Sequence, residues 1–149
     1  MAVSFSCTTY SSMPQMELFD LSRSIDAHQA SMAQSREEAV GGVTSGLISL
    51  GEEVSWRARH FGVPLRMTNK ITQMQVGESF TDEQLRGPFK HFRHVHQFSS
   101  HAGITTMVDH VHFAAPLGPL GLLVERLVLA KYLRRLIEER NRFLTGITP

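Results

Sequence analysis

"FKHFRHVHQFSSHAGITTMVDHVHF", residues 89–113, carries six of the eight histidines of this 149-residue chain, and its reading decides the rest. Apolar and polar residues alternate on both sides of a central turn. A period of two belongs to paired antiparallel strands, not to helices. Neighbouring strand residues point to opposite faces, so Phe92, His94, His96 and Phe98 share one face and His91 and Arg93 the other. In the second half Met107, Asp109, Val111 and Phe113 share a face, opposite His110 and His112. Taking "SSHA" as a four-residue turn predicts a register with His94 beside Asp109, Phe92 beside Val111 and His96 beside Met107. One face then offers an apolar lining with His94, His96 and Asp109 set into it, and His60 from an earlier strand can join them. The other face, with Lys90, His91, Arg93, His110 and His112, is the solvated side.

The same alternation runs outward from this hairpin. "LRMTNKITQMQV" and "ESFTDEQLRG" read as strands, and "EEVSWRARHF" places Val54, Trp56, Ala58 and His60 on one face before the turn "FGVP". Residues 3–10 alternate Val3, Phe5 and Cys7 with Ser4, Ser6 and Thr8, a half-buried first strand. Pro14 then opens a short helix with Met16, Phe19 and Leu21 as its apolar positions, and Ser24 caps a second that runs to about Met32. "REEAVGGVTSG" reads as turns. After Pro116, Leu120, Leu123, Leu127, Ala130, Leu133 and Ile137 recur at helical spacing opposite Glu125, Arg135 and Glu139, which predicts one long amphipathic helix. This order is α+β, with the helices on one side of an antiparallel meander.

Composition narrows the function. With 15 basic and 14 acidic residues the chain has no global field of the kind that holds nucleic acid, and none is expected as partner. One cysteine excludes an internal disulfide and a multi-cysteine zinc site. The N-terminal stretch lacks the pattern of a signal peptide, and the most apolar segment is broken by Glu125, Arg126 and Lys131. A single cytoplasmic domain over residues 1–149, without membrane insertion, is the expectation; a homodimer is left open.

The order of elements, with "GEEVSWRARHFGV", "FTDEQLRGPFKHFRHVHQF", "MVDHVHFAAPLGPLG" and "RLVLAKYLRRLIEERNRFL", resembles the START/Bet v 1-like (SRPBCC) superfamily, in particular its bacterial polyketide cyclase/dehydrase-like branch. The resemblance spans nearly the whole chain and is strongest from Gly51 to Leu144. It implies the helix-grip fold: a curved seven-stranded antiparallel sheet wrapped around a long C-terminal helix, with a hydrophobic cavity between them. It also implies binding of a hydrophobic small molecule such as a lipid, polyketide or quinone, with cyclisation or dehydration as the alternative. One scaffold carries many activities, so fold is better specified than function.

Within that frame His94 and Asp109 are the candidate catalytic or anchoring pair, in which a carboxylate fixes the imidazole tautomer and raises its basicity. The same two residues can equally be a buried polar pair that satisfies itself. Trp56, His60, Phe80, Gln84, Phe92, His96, Met107, Val111, Phe113, Leu120, Leu123 and Leu127 are the candidate ligand-binding residues, most of them also natural core positions. Two histidines at i and i+2, His94 and His96 or His110 and His112, have metal-ligand spacing, with Asp109, His60 or Glu83 as a third donor. That pattern is common in histidine-rich strands, so neither a metal nor any other cofactor is expected. Cys7, the "SSH" turn and the glycines of "GPLGPLG" match no nucleophile or phosphate-binding pattern.

Overall fold

A computed structural model describes residues 2–115 and 128–146. The elements run β1 (Val3–Ser11), α1 (Gln15–Ser22), α2 (Ile25–Ser31), β2 (Glu38–Gly42), β3 (Glu53–His60), β4 (Val63–Gln75), β5 (Ser79–Arg86), β6 (His91–His101), β7 (Ile104–Ala114) and α3 (Ala130–Thr145). The seven strands form one antiparallel sheet in the order β1-β7-β6-β5-β4-β3-β2. The two helices after β1 carry the chain from one edge to the other, and α3 packs against β1, α1 and α2. Among the described residues no helix is long and apolar enough to cross a membrane.

The hairpin of residues 91–114 is tighter than "SSHA" suggests. Both strands continue to His101 and Ile104, leaving a two-residue turn at Ala102 and Gly103, each with positive φ (51° and 78°). Turns of that kind match the twist of the flanking strands. The true pairs are therefore Phe92 with Phe113, His94 with Val111, His96 with Asp109 and Phe98 with Met107, two residues from the predicted register. A slip of two keeps every side chain on its face, so the inward and outward sets stand.

Two other expectations change. The segment read as turns contains β2, an edge strand with a bulge between Ala39 and Gly41. A Cβ at Gly42 would lie 2.1 Å from the Glu53 carbonyl oxygen, so only glycine lets the strands close there. In α1 the buried residues are Leu18, Phe19 and Ser22, while Met16 is exposed, because the helix turns its i, i+1, i+4 stripe toward the sheet. Ser24 caps α2 as expected, its hydroxyl accepting from the Ala27 N–H.

The core has two centres. Phe19 meets Phe80 and Phe98 edge to face at 5.6 and 5.4 Å, within a cluster that includes Leu18, Ile71 and Met107. Cys7, Val111 and Phe113 pack against Ile137 of α3 in the second. Burial there pushes the Cys7 thiol up to about 11, the mark of inert filler rather than a nucleophile. Of the predicted C-terminal helix, Ala130–Thr145 is described, with Ile137, Arg140, Asn141 and Leu144 turned inward; Leu120, Leu123 and Leu127 lie outside the described residues.

Candidate functional site

The inner side of the sheet and the helices enclose a cavity of about 310 Å³, large enough for a small organic ligand. Strands β3 to β6 supply one wall, through Trp56, Ile71, Phe80 and Phe92 among others, and α2 and α3 the opposite one. Most of that surface is apolar, and two polar groups interrupt it.

The first group lies on β5 and β6. His94 Nε2 is 2.7 Å from Asp109 Oδ1, a diagonal contact across the hairpin, and Asn141 of α3 donates to the other carboxylate oxygen at 2.7 Å. Arg140 brings a guanidinium nitrogen within 3.7 Å of Asp109 while donating to the Ser22 carbonyl at 2.9 Å. His96 stacks on His94 with ring centres 3.8 Å apart, and its Nε2 meets Asp82 Oδ2 at 2.9 Å. Asn69 donates to the second oxygen of Asp82. His96 Nδ1 stands 3.3 Å from Asp109 Oδ1, off line for a good hydrogen bond yet close enough for the charge to act on it.

Burial sets the charges of this group. Burial alone would lower both imidazoles, and His94, next to a second histidine, stays below its ordinary value despite Asp109. His96 is raised, because Asp109 and Asp82 on either side more than offset the cost of burial. Both carboxylates stay ionised against burial, Asp82 held down chiefly by His96, and Asp109 well below the usual range chiefly by His94 and then His96. With His96 protonated, two carboxylates face two cations, His96 and Arg140, and the buried charge balances. His94 is then neutral, and a carboxylate can only accept, so the His94 proton sits on Nε2. Nδ1 is left as an unprotonated acceptor with no hydrogen-bond partner among the described residues, on a side chain that lines the cavity.

The second group lies toward the β3–β4 turn. His28 donates from Nε2 to Glu37 Oε1 at 2.8 Å, and its ring rests 4.5 Å from that of Trp56. Glu37 stays ionised below its ordinary value despite burial, chiefly through His28. His60 Nδ1 pairs with the Tyr132 hydroxyl at 2.7 Å, and burial keeps His60 below its ordinary value against the pull of Glu37. Phe61, in the turn, packs 4.5 Å from Tyr132.

Trp56, His60, Phe80, Phe92, His94 and His96 line the cavity, and Asp109 stands directly behind His94. Other expectations need correction. His60 joins Tyr132, not the His94 group. Gln84 is absent from the wall: its carboxamide both donates to the Phe89 carbonyl and accepts from the Phe89 N–H, locking the β5–β6 loop. Met107, Val111 and Phe113 face inward but stay in the core, since α1 and α3 cover β7 before the cavity begins; Ser22 even donates to the Met107 sulfur at 3.3 Å. Asp82 was overlooked although it shares a strand face with Phe80. Arg140 and Asn141 carried a signal too, as polar residues on the apolar stripe of the last helix. Glu37, His28 and Tyr132 had none, because tertiary folding alone brings them together.

Asp82, His94 and His96 each offer a ligand atom within 4.8 Å of the others, the donor set of a two-histidine, one-carboxylate metal centre. Asp109 would be its outer carboxylate. A metal would have to displace the proton that His96 shares with Asp82.

No family model and no curated protein matches the chain in sequence. Solved structures do match in shape. The Zhui aromatase/cyclase from a Streptomyces species superposes with a TM-score of 0.78 at 13% identity, over 98% of this chain and 93% of that one. A protein from Thermus thermophilus gives 0.75 at 12% identity, over 99% and 100%. Ara h 8.0201 gives 0.72 at 13%, over 98% and 97%. The fold is the helix-grip fold, shared with these solved structures. In that helix-grip frame the cavity lies where the resemblance placed it, between sheet and C-terminal helix.

Proposed function

We propose that the chain binds an apolar small molecule in the helix-grip cavity and orients it through His94. The observation that carries this reading is the juxtaposition, in one apolar pocket of about 310 Å³, of a wide hydrophobic wall and an unclaimed acceptor, His94 Nδ1, whose tautomer Asp109 sets. Apolar burial supplies most of the affinity, at about 25 cal/mol per Å² removed from water, and the acceptor selects ligands that present a hydroxyl. Native mass spectrometry of the protein from its own host, followed by denaturing extraction, tests the reading. A stoichiometric apolar organic molecule supports it; protein that is always empty, and that takes up no apolar probe, refutes it.

A second reading is a cyclase or dehydratase of polyketide type, favoured by the position of the His94–Asp109 pair at the cavity wall and by the likeness to an aromatase/cyclase. His94 Nδ1 would take a proton from an acidic methylene or hydroxyl, and the imidazolium, held against Asp109, would return it to a leaving hydroxyl that departs as water. Turnover lost in His94→Ala with binding retained separates this reading from the first.

A further inference from the structure

His94 is not the only acceptor that the cavity offers. Glu37 lines the wall with its side chain only 12% exposed. One of its oxygens receives the His28 proton at 2.8 Å. Among the described residues the other has only Ser35 Oγ at 3.4 Å, and that hydroxyl has a nearer acceptor in the Met32 carbonyl at 3.1 Å. A hydroxyl carries one proton, so serving Met32 leaves Glu37 Oε2 short of a donor. An ionised oxygen in that condition, inside an apolar wall, is costly unless something else donates to it. The carboxylate cannot easily swing away, because His28 holds it and is itself set against Trp56.

The two acceptors stand apart. Trp56 is on β3 and His94 on β6, with β4 and β5 between them. Three inter-strand steps make about 14 Å of sheet, bridged along the wall by Ile71, Phe80 and their neighbours. Among the described residues the cationic groups of the wall are already engaged: Arg23 donates to Asp20, Ile48 and Ser49, Arg140 to Ser22 and Asn141 beside Asp109, and His96 lies between Asp82 and Asp109. The remaining Arg140 Nε is sealed from the surface.

We propose that the cavity selects a rigid, neutral, apolar molecule with a hydroxyl at each end, a diol or bisphenol, one hydroxyl donating to His94 Nδ1 and the other to Glu37 Oε2. This rests on the apolar-binding reading and adds a second polar station to it. It excludes fatty acids and other carboxylates as preferred ligands.

The test uses four probes of one shape: stilbene, 4-hydroxystilbene, 4,4′-dihydroxystilbene and stilbene-4,4′-dicarboxylate. Trp56, the chain's one tryptophan, stands in the wall and reports occupancy by its fluorescence. The dihydroxy probe should bind roughly tenfold tighter than the monohydroxy one, and Glu37→Gln should bring that ratio close to one. Four probes with equal affinities, or a preference for the dicarboxylate, overturn the inference and leave apolar binding standing. Failure to bind any probe, stilbene included, overturns both. Should Glu37→Gln not fold, the ratio in the unaltered protein still decides: a ratio near one is a refutation.

Discussion

The two faces of the β6–β7 hairpin carry the same motif, a histidine, one residue and a second histidine, and use it differently. Inward, His94 and His96 stack in the protein interior and meet Asp109 and Asp82. Outward, His110 meets Ser6 Oγ at 2.8 Å and Gln97 at 2.9 Å, and His112 meets Ser4 Oγ at 2.7 Å and stacks against His91 at 4.9 Å. The sequence spacing is common to both; the partner across the strands is not. A buried carboxylate can only accept and so fixes the proton on the imidazole nitrogen facing it, whereas a serine hydroxyl can donate or accept and fixes nothing by itself.

The inner and outer faces differ most at Asp109. Asp109→Ala removes the acceptor of His94 and Asn141 and leaves Arg140 and His96 as buried charges short of a counter-ion, at a cost of about 3–5 kcal/mol in urea unfolding. Ser6→Ala, its outward counterpart, should cost less than about 0.5 kcal/mol. Next comes acid. Asp82, Asp109 and Glu37 have lowered values in the folded chain, so their stabilisation is present above their ordinary range near pH 4 and is lost as pH falls through the folded values. The lowered His94 acts in the same direction below about pH 6.5, while the raised His96 stabilises below that point and loses its contribution as pH rises through its folded value. Unfolding midpoints measured from about pH 3 to 9 should therefore fall on the acid side, and Asp109→Asn should flatten that fall. If the slope is unchanged, the inner group is not the source.

Smaller effects follow. His94→Ala leaves Asp109 without one donor, about 1–3 kcal/mol of stability, and should weaken a hydroxyl-bearing ligand roughly tenfold by titration of Trp56 fluorescence. His112→Ala should shift stability by less than about 0.5 kcal/mol and leave ligand affinity alone. Equal losses of affinity in these two variants would erase the distinction between the faces.

Much of this is legible in the sequence alone. The alternation of Phe92, His94, His96 and Phe98 is a local property of a strand, so the inward set could be read directly, and so could the Ser24 cap. The register needed the turn, and Ala102 conceals a positive φ that no alanine advertises. Gln84 shares its face with Phe80 and looked like a ligand contact; a loop that lies five residues further along the chain took its amide. Met107, Val111 and Phe113 point the expected way, but pattern reading gives a side and not a depth. Glu37, His28, His60 and Tyr132 come from four separate elements or loops, and only the folded chain brings them to one wall.

The two-residue turn at Ala102 and Gly103 has a consequence for how such a chain can diverge. Lengthening or shortening one arm of the hairpin by a single residue would exchange its inner and outer side chains, driving His110 and His112 indoors and Asp109 into water. Changes of two residues would leave each side chain on its own side. Insertions and deletions that survive in this hairpin among descendants of the gene should therefore come in even numbers.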